Sequence, residues 1–473
     1  MPMQIRKQIK DRITTLKLYD KQGNLIPTHQ CIDEFYIIRN RLLCSYTQED
    51  IVGIRFAKDY RYVLALLACM SIELPYIPLS KEWPQERIKQ IEMLSGCHTI
   101  EESMFDFVHG EREVSDAHFE NKILYIIFTS GSTGAPKGVK ISRSAYSEFL
   151  LWSGEYFADI TSEDRMLLTT DFTFDISLVD ISLLLTKNLT LYMSDFNNNV
   201  FKLLYELENY KITTHSTVPY NYSMIMHDEV YAKSNLEHLQ HVMIGGARFP
   251  NNLYTNFQTR MPTCTVYNFY GPTEATIYCA IAKLEHTQEE LHNNNITIGK
   301  PFYHNEFMIV DDELLIAGPQ LMEGYIHNPE KTAEVLVEIE GKRYYKSGDV
   351  VFKNDTGHYF IVGRKDDTIK VTGYRVNLSD IDSYMLKLDA ISNVATVAIE
   401  SERSEHDLVS YIILEESTMR AKEIKRALKQ WMPEYQIPKF IEIVDSFPLN
   451  NSGKICKRTL KERYLEQKAR SKK

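Results

Sequence analysis

A nearly all-apolar, β-rich run, Ile123–Phe128, leads straight into Thr129-Ser130-Gly131-Ser132-Thr133-Gly134-Ala135-Pro136-Lys137-Gly138. The run has the length and composition of a strand buried on both faces. The ten residues after it hold three glycines and four hydroxyl side chains. Glycine lets backbone N–H groups come close to an anion, and the hydroxyls add donors, so the loop suits polyphosphate. Lys137 adds a charge within reach of the distal phosphates. The Walker A spacing, G-x4-G-K-[ST], is absent. Taken alone, the loop also reads as an ordinary turn. A helix is expected over Ser144–Trp152, and further strands over His241–Ile244 and Thr265–Tyr270, each ending in a glycine-containing loop. This pattern predicts an α/β core of layered sheets with flanking helices, in which ligands bind at strand ends.

The texture changes near residue 300. Glu306–Val310 and Glu313–Ile316 flank Asp311-Asp312 as a β-hairpin, and short strands continue to Val362, a β-rich part over about 300–362. It changes again at Gly363-Arg364-Lys365-Asp366-Asp367. We expect a large N-terminal domain over 1–365 and a small α+β C-terminal domain over 366–473, hinged at Asp366. In the small domain, Leu378–Leu388 and Met419–Trp431 read as helices, the second with Thr418 as N-cap, and Val394–Ile399 and Leu408–Leu414 read as strands. A chain of 473 residues gives a prior of about three compact units. Asn197–Asn199 and Asn293–Asn295 are loop-like.

Charge and cysteine usage exclude several classes. The formal net charge of −10 argues against nucleic acid as the main partner, since phosphate neutralisation needs clustered Lys and Arg. The basic stretch Lys468–Lys473 reads as a solvated end, or else as a carrier-protein or membrane contact. Seven cysteines without a CxxC suggest free thiols in a reducing compartment. Met1–Leu16 lacks an apolar h-region, and Tyr62–Met70 is too short to span a bilayer. The expectation is a cytoplasmic, monomeric protein.

The loop Thr129–Gly138 closely resembles the phosphate-loop motif of the adenylate-forming superfamily: nonribosomal-peptide adenylation domains, acyl-CoA synthetases and luciferases. Further motifs agree in order and spacing. Phe174-Asp175-Ile176-Ser177 resembles the substrate-pocket motif of amino-acid adenylation domains, and Asn268-Phe269-Tyr270-Gly271-Pro272-Thr273-Glu274 their nucleotide motif. Glu313-Leu314-Leu315-Ile316-Ala317-Gly318 with Gly324-Tyr325 fits the next, and Tyr345-Lys346-Ser347-Gly348-Asp349 the ribose motif, with Ser347 where Thr is usual. Gly363–Asp366, Ile369-Lys370 and Gly373-Tyr374-Arg375 resemble the hinge motif, and Asn451-Ser452-Gly453-Lys454-Ile455 the final lysine motif.

The resemblance implies ATP and Mg²⁺ as cofactors and carries roles residue by residue. Lys454 is the central cation, touching the substrate carboxylate and the α-phosphate side of the nucleotide. Such a cation suits a reaction between two anions. Thr129, Ser130, Gly131, Ser132, Thr133, Gly134 and Lys137 hold phosphate. Glu274 is the Mg²⁺ ligand and Thr273 a phosphate donor. Asn268, Phe269, Tyr270 and Gly271 contact adenine on one side, and Gly246, Ala247 and Arg248 on the other. Asp349 accepts from the ribose hydroxyls, and Arg364 contacts ribose or phosphate. Asp175 pairs with an α-ammonium; the bland reading makes it a helix N-cap before Ile176–Leu185. Motif offset gives Ile176, Val179, Ser216, Met243, Gly245, Phe269, Ile277 and Tyr278 as the substrate wall, with Gly245 leaving space and Phe269 taking it back. A small or medium, apolar or weakly polar side chain fits such a wall. Gly373 lies at the thiol tunnel.

Three departures sit on the hinge side. Ile361 stands where relatives place an aromatic near adenine, Thr372 replaces a basic residue, and Asn377 an acid. No carrier-attachment Gly-Gly-x-Ser follows Lys454. The implied partner is therefore a separate phosphopantetheinylated carrier protein acting in trans, as with D-alanine–carrier protein ligases. The alternatives are an acyl- or aryl-CoA synthetase and a catalytically silent nucleotide-binding partner protein.

Overall fold

A computed structural model describes the chain apart from residues 1–4, 108–115, 131–135, 197–198, 233, 293–294, 366–367, 372–373, 402–404, 416–418, 431, 433, 451–452 and 471–473. Two helices show why the large domain is layered. Tyr60–Ile72 is buried at every position but Arg61, and Ser177–Lys187 is buried from Ser177 to Leu185. A helix apolar on all sides needs neighbours on all sides. One continuous hydrophobic core joins both helices to residues of two sheets, among them Val52, Leu124, Met166 and Met243.

The larger sheet runs Lys17–Tyr19, Thr190–Met193, Arg165–Leu168, Thr214–Thr217, His241–Ile244, Thr265–Tyr270, Ala280–Leu284 and Lys300–Pro301. Its first six strands pair in parallel and its last two antiparallel. Parallel strands bring their C-terminal ends to one edge, where ligands bind in such sheets. The second sheet runs Gly324–Tyr325, Pro136–Ser142, Ile123–Ser130, Tyr76–Pro78, Val52–Ile54 and His98–Ile100. Ile123–Ser130 and Pro136–Ser142 pair antiparallel, with Thr129 opposite Lys137. The glycine-hydroxyl string thus joins two hairpin strands rather than a strand and a helix. The expected helix follows, longer than read, at Arg143–Tyr156.

The β-rich part bears out the hairpin. Glu306–Val310 pairs with Glu313–Ala317 across Asp311 and Asp312, whose φ angles of 50° and 64° suit a tight two-residue turn. Lys342–Lys353 lies beside Glu313–Ala317 and carries Leu336–Ile339 and Tyr359–Arg364 as further partners.

In the small domain, Ile391–Ser401 pairs with Glu405–Leu414, and that strand with Phe440–Ile443. Ile391, Val394 and Ala398 face one hydrophobic cluster, and Ala395, Val397 and Ile399 face another, closed by Leu460 and Tyr464 of the helix Lys457–Arg470. Two helices are shorter than the sequence suggests. Leu378–Met385 stops before Leu388, and the second starts at Ala421, with Arg420 at the cap and the Glu423 side chain accepting from the Arg420 N–H at 2.8 Å. Thr418 lies outside the described residues, as do Asn197, Asn198, Asn293 and Asn294. All seven cysteines are free thiols, and among the described residues no helix is long and apolar enough to cross a membrane.

Candidate functional site

The segments that follow two parallel strands, at Val218 and Gly246, meet the loop that carries Lys454. That loop is tight. The Lys454 and Gly453 N–H groups donate to the Asn450 side-chain Oδ1 and main-chain carbonyl at 3.0 Å each, and Asn450 N–H donates to the Lys454 carbonyl at 2.8 Å. Gly453 adopts φ 72°, and a Cβ there would stand 3.3 Å from Val218. The loop leans on the strand-end segment after Thr217, and the lysine side chain passes over Gly246. A Cβ on Gly246 would be 3.6 Å from Lys454 Cε. Lys454 is solvent-exposed as a residue, yet its side chain lies against protein at Gly246. The surrounding protein lowers its pKa, and the nearby carboxylates Asp175, Asp349 and Glu274 oppose the shift.

Asp175 does not cap the helix after it. The cap position falls to Ile176, without a side-chain cap bond. Its carboxyl is buried, Oδ2 has no partner, and burial pushes its pKa up to about 6 against the pull of Thr273 and Lys454. A buried carboxylate without a bonded cation is costly.

On the nucleotide side, Tyr270 donates its hydroxyl to Asp349 Oδ2 at 2.5 Å, and Arg364 Nη1 donates to Asp349 Oδ1 at 2.7 Å. Each Asp349 oxygen therefore already accepts from a protein donor. Asn268 Nδ2 donates to the Thr297 carbonyl at 2.8 Å, which leaves its oxygen as the acceptor. Arg248 reaches across to the small domain, where Nη1 donates to the Ser379 carbonyl at 3.3 Å, and Asn252 Nδ2 donates to the Ser392 carbonyl at 2.9 Å. Arg248 therefore bridges the domains instead of only lining a base. Ala247 is exposed, and Ile361 packs at the edge of the main core.

Glu274 accepts from the Tyr325 hydroxyl at 2.8 Å, and Lys137 Nζ lies 5.7 Å from the Tyr325 ring. Among the described residues no three His, Cys, Asp or Glu side chains cluster as a metal cage. A lone Glu274 nonetheless fits Mg²⁺, which takes one or two carboxylates and completes its shell with water and phosphate. Gly131, Ser132, Thr133, Gly134, Asp366, Gly373 and Thr372 lie outside the described residues, and the side chains of Ser130 and Asn377 are likewise not described.

Tyr325 and Glu313 stand in a motif of the sequence without an expected role there, and Gln320 gave no sequence signal. Glu313 accepts from the Gly348 N–H at 2.9 Å and from Lys365 Nζ at 2.8 Å. Gln320 Nε2 donates to the carbonyls of Thr276 and Tyr278 at 3.1 and 2.9 Å, and its Oε1 accepts from Asn305 at 2.6 Å. It clamps a loop in which Thr276 and Ile277, both β-branched, take φ 56° and 70°. Side chains of that kind resist positive φ, so the loop needs an external tie. Gly318-Pro319 ahead of Gln320 signals only a turn, which is why the clamp is not apparent in sequence. Gln320→Leu removes the donor from the Thr276 and Tyr278 carbonyls and the acceptor from Asn305. We expect it to lower stability by about 2–3 kcal/mol and to raise the KM for the acid substrate about tenfold. Denaturant unfolding and substrate titration check this, and an unchanged KM in a folded variant would reject the clamp.

Comparisons with known proteins identify the family. Residues 39–326 match the AMP-binding enzyme family, and residues 380–454 the AMP-binding enzyme C-terminal domain. Among curated relatives, Bacitracin synthase 1 of Bacillus licheniformis is 29% identical over 93% of this chain, and the Dimodular nonribosomal peptide synthase of Bacillus subtilis (strain 168) is 28% identical over 87%. The chain spans only 9% and 18% of those proteins' own lengths. Among solved structures, the four-domain nonribosomal peptide synthetase holo-AB3403, bound to AMP and glycine, superposes with a TM-score of 0.80 at 21% identity, covering 96% of this chain and 36% of that one. The ATP-bound MatB from Rhodopseudomonas palustris superposes at 0.83 and 16% identity, covering 98% and 99%. These two likenesses support the fold, a large N-terminal domain with a small C-terminal one. The family match covers more than half of the chain and leads to one statement: the chain is an AMP-binding enzyme of the adenylate-forming superfamily, related to nonribosomal-peptide adenylation units.

Proposed function

We propose that the enzyme activates an amino acid as aminoacyl-AMP and passes the aminoacyl group to the phosphopantetheine thiol of a separate carrier protein. The observation that carries the amino-acid part is Asp175, a buried carboxylate with an unpartnered oxygen in the same cleft as Lys454. An amino acid supplies the missing cation through its ammonium and leaves its carboxylate for the lysine. The carboxylate oxygen attacks the α-phosphorus of ATP, the bond to the bridging oxygen breaks, and pyrophosphate leaves with the electron pair. Lys454 offsets the charge of both anions as they meet. Glu274 and water hold Mg²⁺, which when bound offsets negative charge on the phosphates. Asp349, Tyr270 and Arg364 position the ribose. For the second half-reaction, Asp366 is the hinge and Gly373 admits the thiol arm.

Pyrophosphate exchange across a panel of amino acids tests the first half. Exchange with fatty or aryl acids only, and an acyl-CoA product when coenzyme A is supplied, would transfer the chain to the CoA synthetases. Incubating the aminoacyl-adenylate with phosphopantetheinylated carrier proteins tests the second.

The elevated pKa of Asp175 gives a pH prediction. The free enzyme binds an ammonium well only when this carboxyl is ionised, so kcat/KM for the amino acid falls as pH drops below about 6, approaching about tenfold per pH unit. The KM for ATP stays nearly constant over the same range. For stability the sign is opposite. The folded value lies above the ordinary 3.8, so the native state holds this proton more tightly, and that contribution fades as pH rises from about 4 to about 6. A flat kcat/KM profile from about pH 5 to 7 would contradict the role given to Asp175.

A further inference from the structure

The cleft is open at its rim and sealed at its floor. Gly246, Gly271, Thr273, Glu274 and Lys454 all retain solvent exposure. Beyond Asp175, Ser216 and Met243 are 0% exposed, Val179, Ile277 and Tyr278 1%, and Phe269 2%. Asp175 keeps 8% exposure, whereas this wall keeps almost none. Tyr278 is the reason. Its ring stacks on Phe269 with centroids 4.6 Å apart, and its hydroxyl stands 2.3 Å from where a Cβ on Gly245 would be. Gly245 therefore leaves space for the tyrosine and none for a substrate side chain, contrary to the sequence expectation. Ser216 Oγ, the Tyr278 hydroxyl and both Asp180 oxygens are buried without partners among the described residues. The backbone beneath the ring is fixed by Gln320.

We infer that the substrate is glycine, with alanine as the largest amino acid the site accommodates; this rests on the amino-acid reading above. The ammonium lies against Asp175, the carboxylate points to Lys454, and the hydrogens on Cα face Tyr278. A valine side chain has to displace a packed aromatic pair or shift the clamped loop, and such overpacking excludes it.

The test is pyrophosphate exchange by the full chain with glycine, L- and D-alanine, L-serine, L-valine and L-phenylalanine. Glycine gives the highest kcat/KM, alanine follows, and valine falls about a hundredfold below glycine. In Tyr278→Ala the valine-to-glycine ratio rises at least about tenfold. Phe269→Ala serves as a second variant if the first does not fold, and the unmodified enzyme decides the question if neither does. Faster exchange with valine or phenylalanine than with glycine overturns the size limit and leaves the amino-acid reading intact. An unchanged ratio in a folded Tyr278→Ala enzyme overturns the assignment of the limit to that ring. Exchange with no amino acid overturns both readings.

Discussion

Lys454→Ala is expected to slow acyl-adenylate formation by about a hundredfold to a thousandfold while ATP binding changes little. The magnitude is that of removing one preorganised donor from a site where charge develops. Its physical basis is the crowded position of the side chain over Gly246, among Asp175, Asp349 and Glu274. The protein around it already disfavours its charged form, and three carboxylates oppose that shift. Two anionic reactants then gain more from it than they would from a surface lysine. The effect belongs to kcat, because the charge acts where carboxylate and α-phosphorus meet. Single-turnover adenylate formation, alongside nucleotide-binding titration, separates the two quantities. A loss below about threefold, or a loss confined to ATP affinity, would remove Lys454 from the chemical step.

Asp175→Asn is the second large effect, and it sets activity against stability. Asparagine retains the shape and removes the charge. The KM for the amino acid is expected to rise about a hundredfold or more, since a buried ammonium left without its carboxylate is worth several kcal/mol. The folded protein should be no less stable, because the native state no longer shields a carboxyl whose oxygen has no partner. Discrimination between glycine and acetate, which lacks only the amine, reports the interaction directly; it should collapse in the variant. Unaltered discrimination, or a marked loss of stability, would make Asp175 a structural residue after all.

What the sequence discloses depends on how far apart the cooperating residues are. The loop Thr129–Gly138 and the string Asn268–Glu274 are contiguous, so their chemistry can be read in one place. The strand-and-helix alternation around them is read equally well. Pairing across distance is different. Tyr270 and Asp349 were each singled out, but nothing in the pattern says that one donates to the other across 79 positions. Gln320 sits 42 residues from the Tyr278 carbonyl it holds. Gly245 is a local signal whose meaning is set by a distant ring, and reading it as free space failed for that reason. The shortened helices Leu378–Met385 and Ala421–Leu428 show the usual weakness at ends, where capping and packing outweigh periodicity.

The last residues of the strand Tyr359–Arg364 have a mechanical consequence. Arg364 is tied to Asp349, the Lys365 N–H donates to the Gly348 carbonyl at 2.8 Å, and the Lys365 side chain is tied to Glu313. The large domain therefore grips the chain up to residue 365, like a clamp closing on the last stretch of a rope. Any turn of the terminal lobe that leaves these ties intact has to take place in the chain after residue 365.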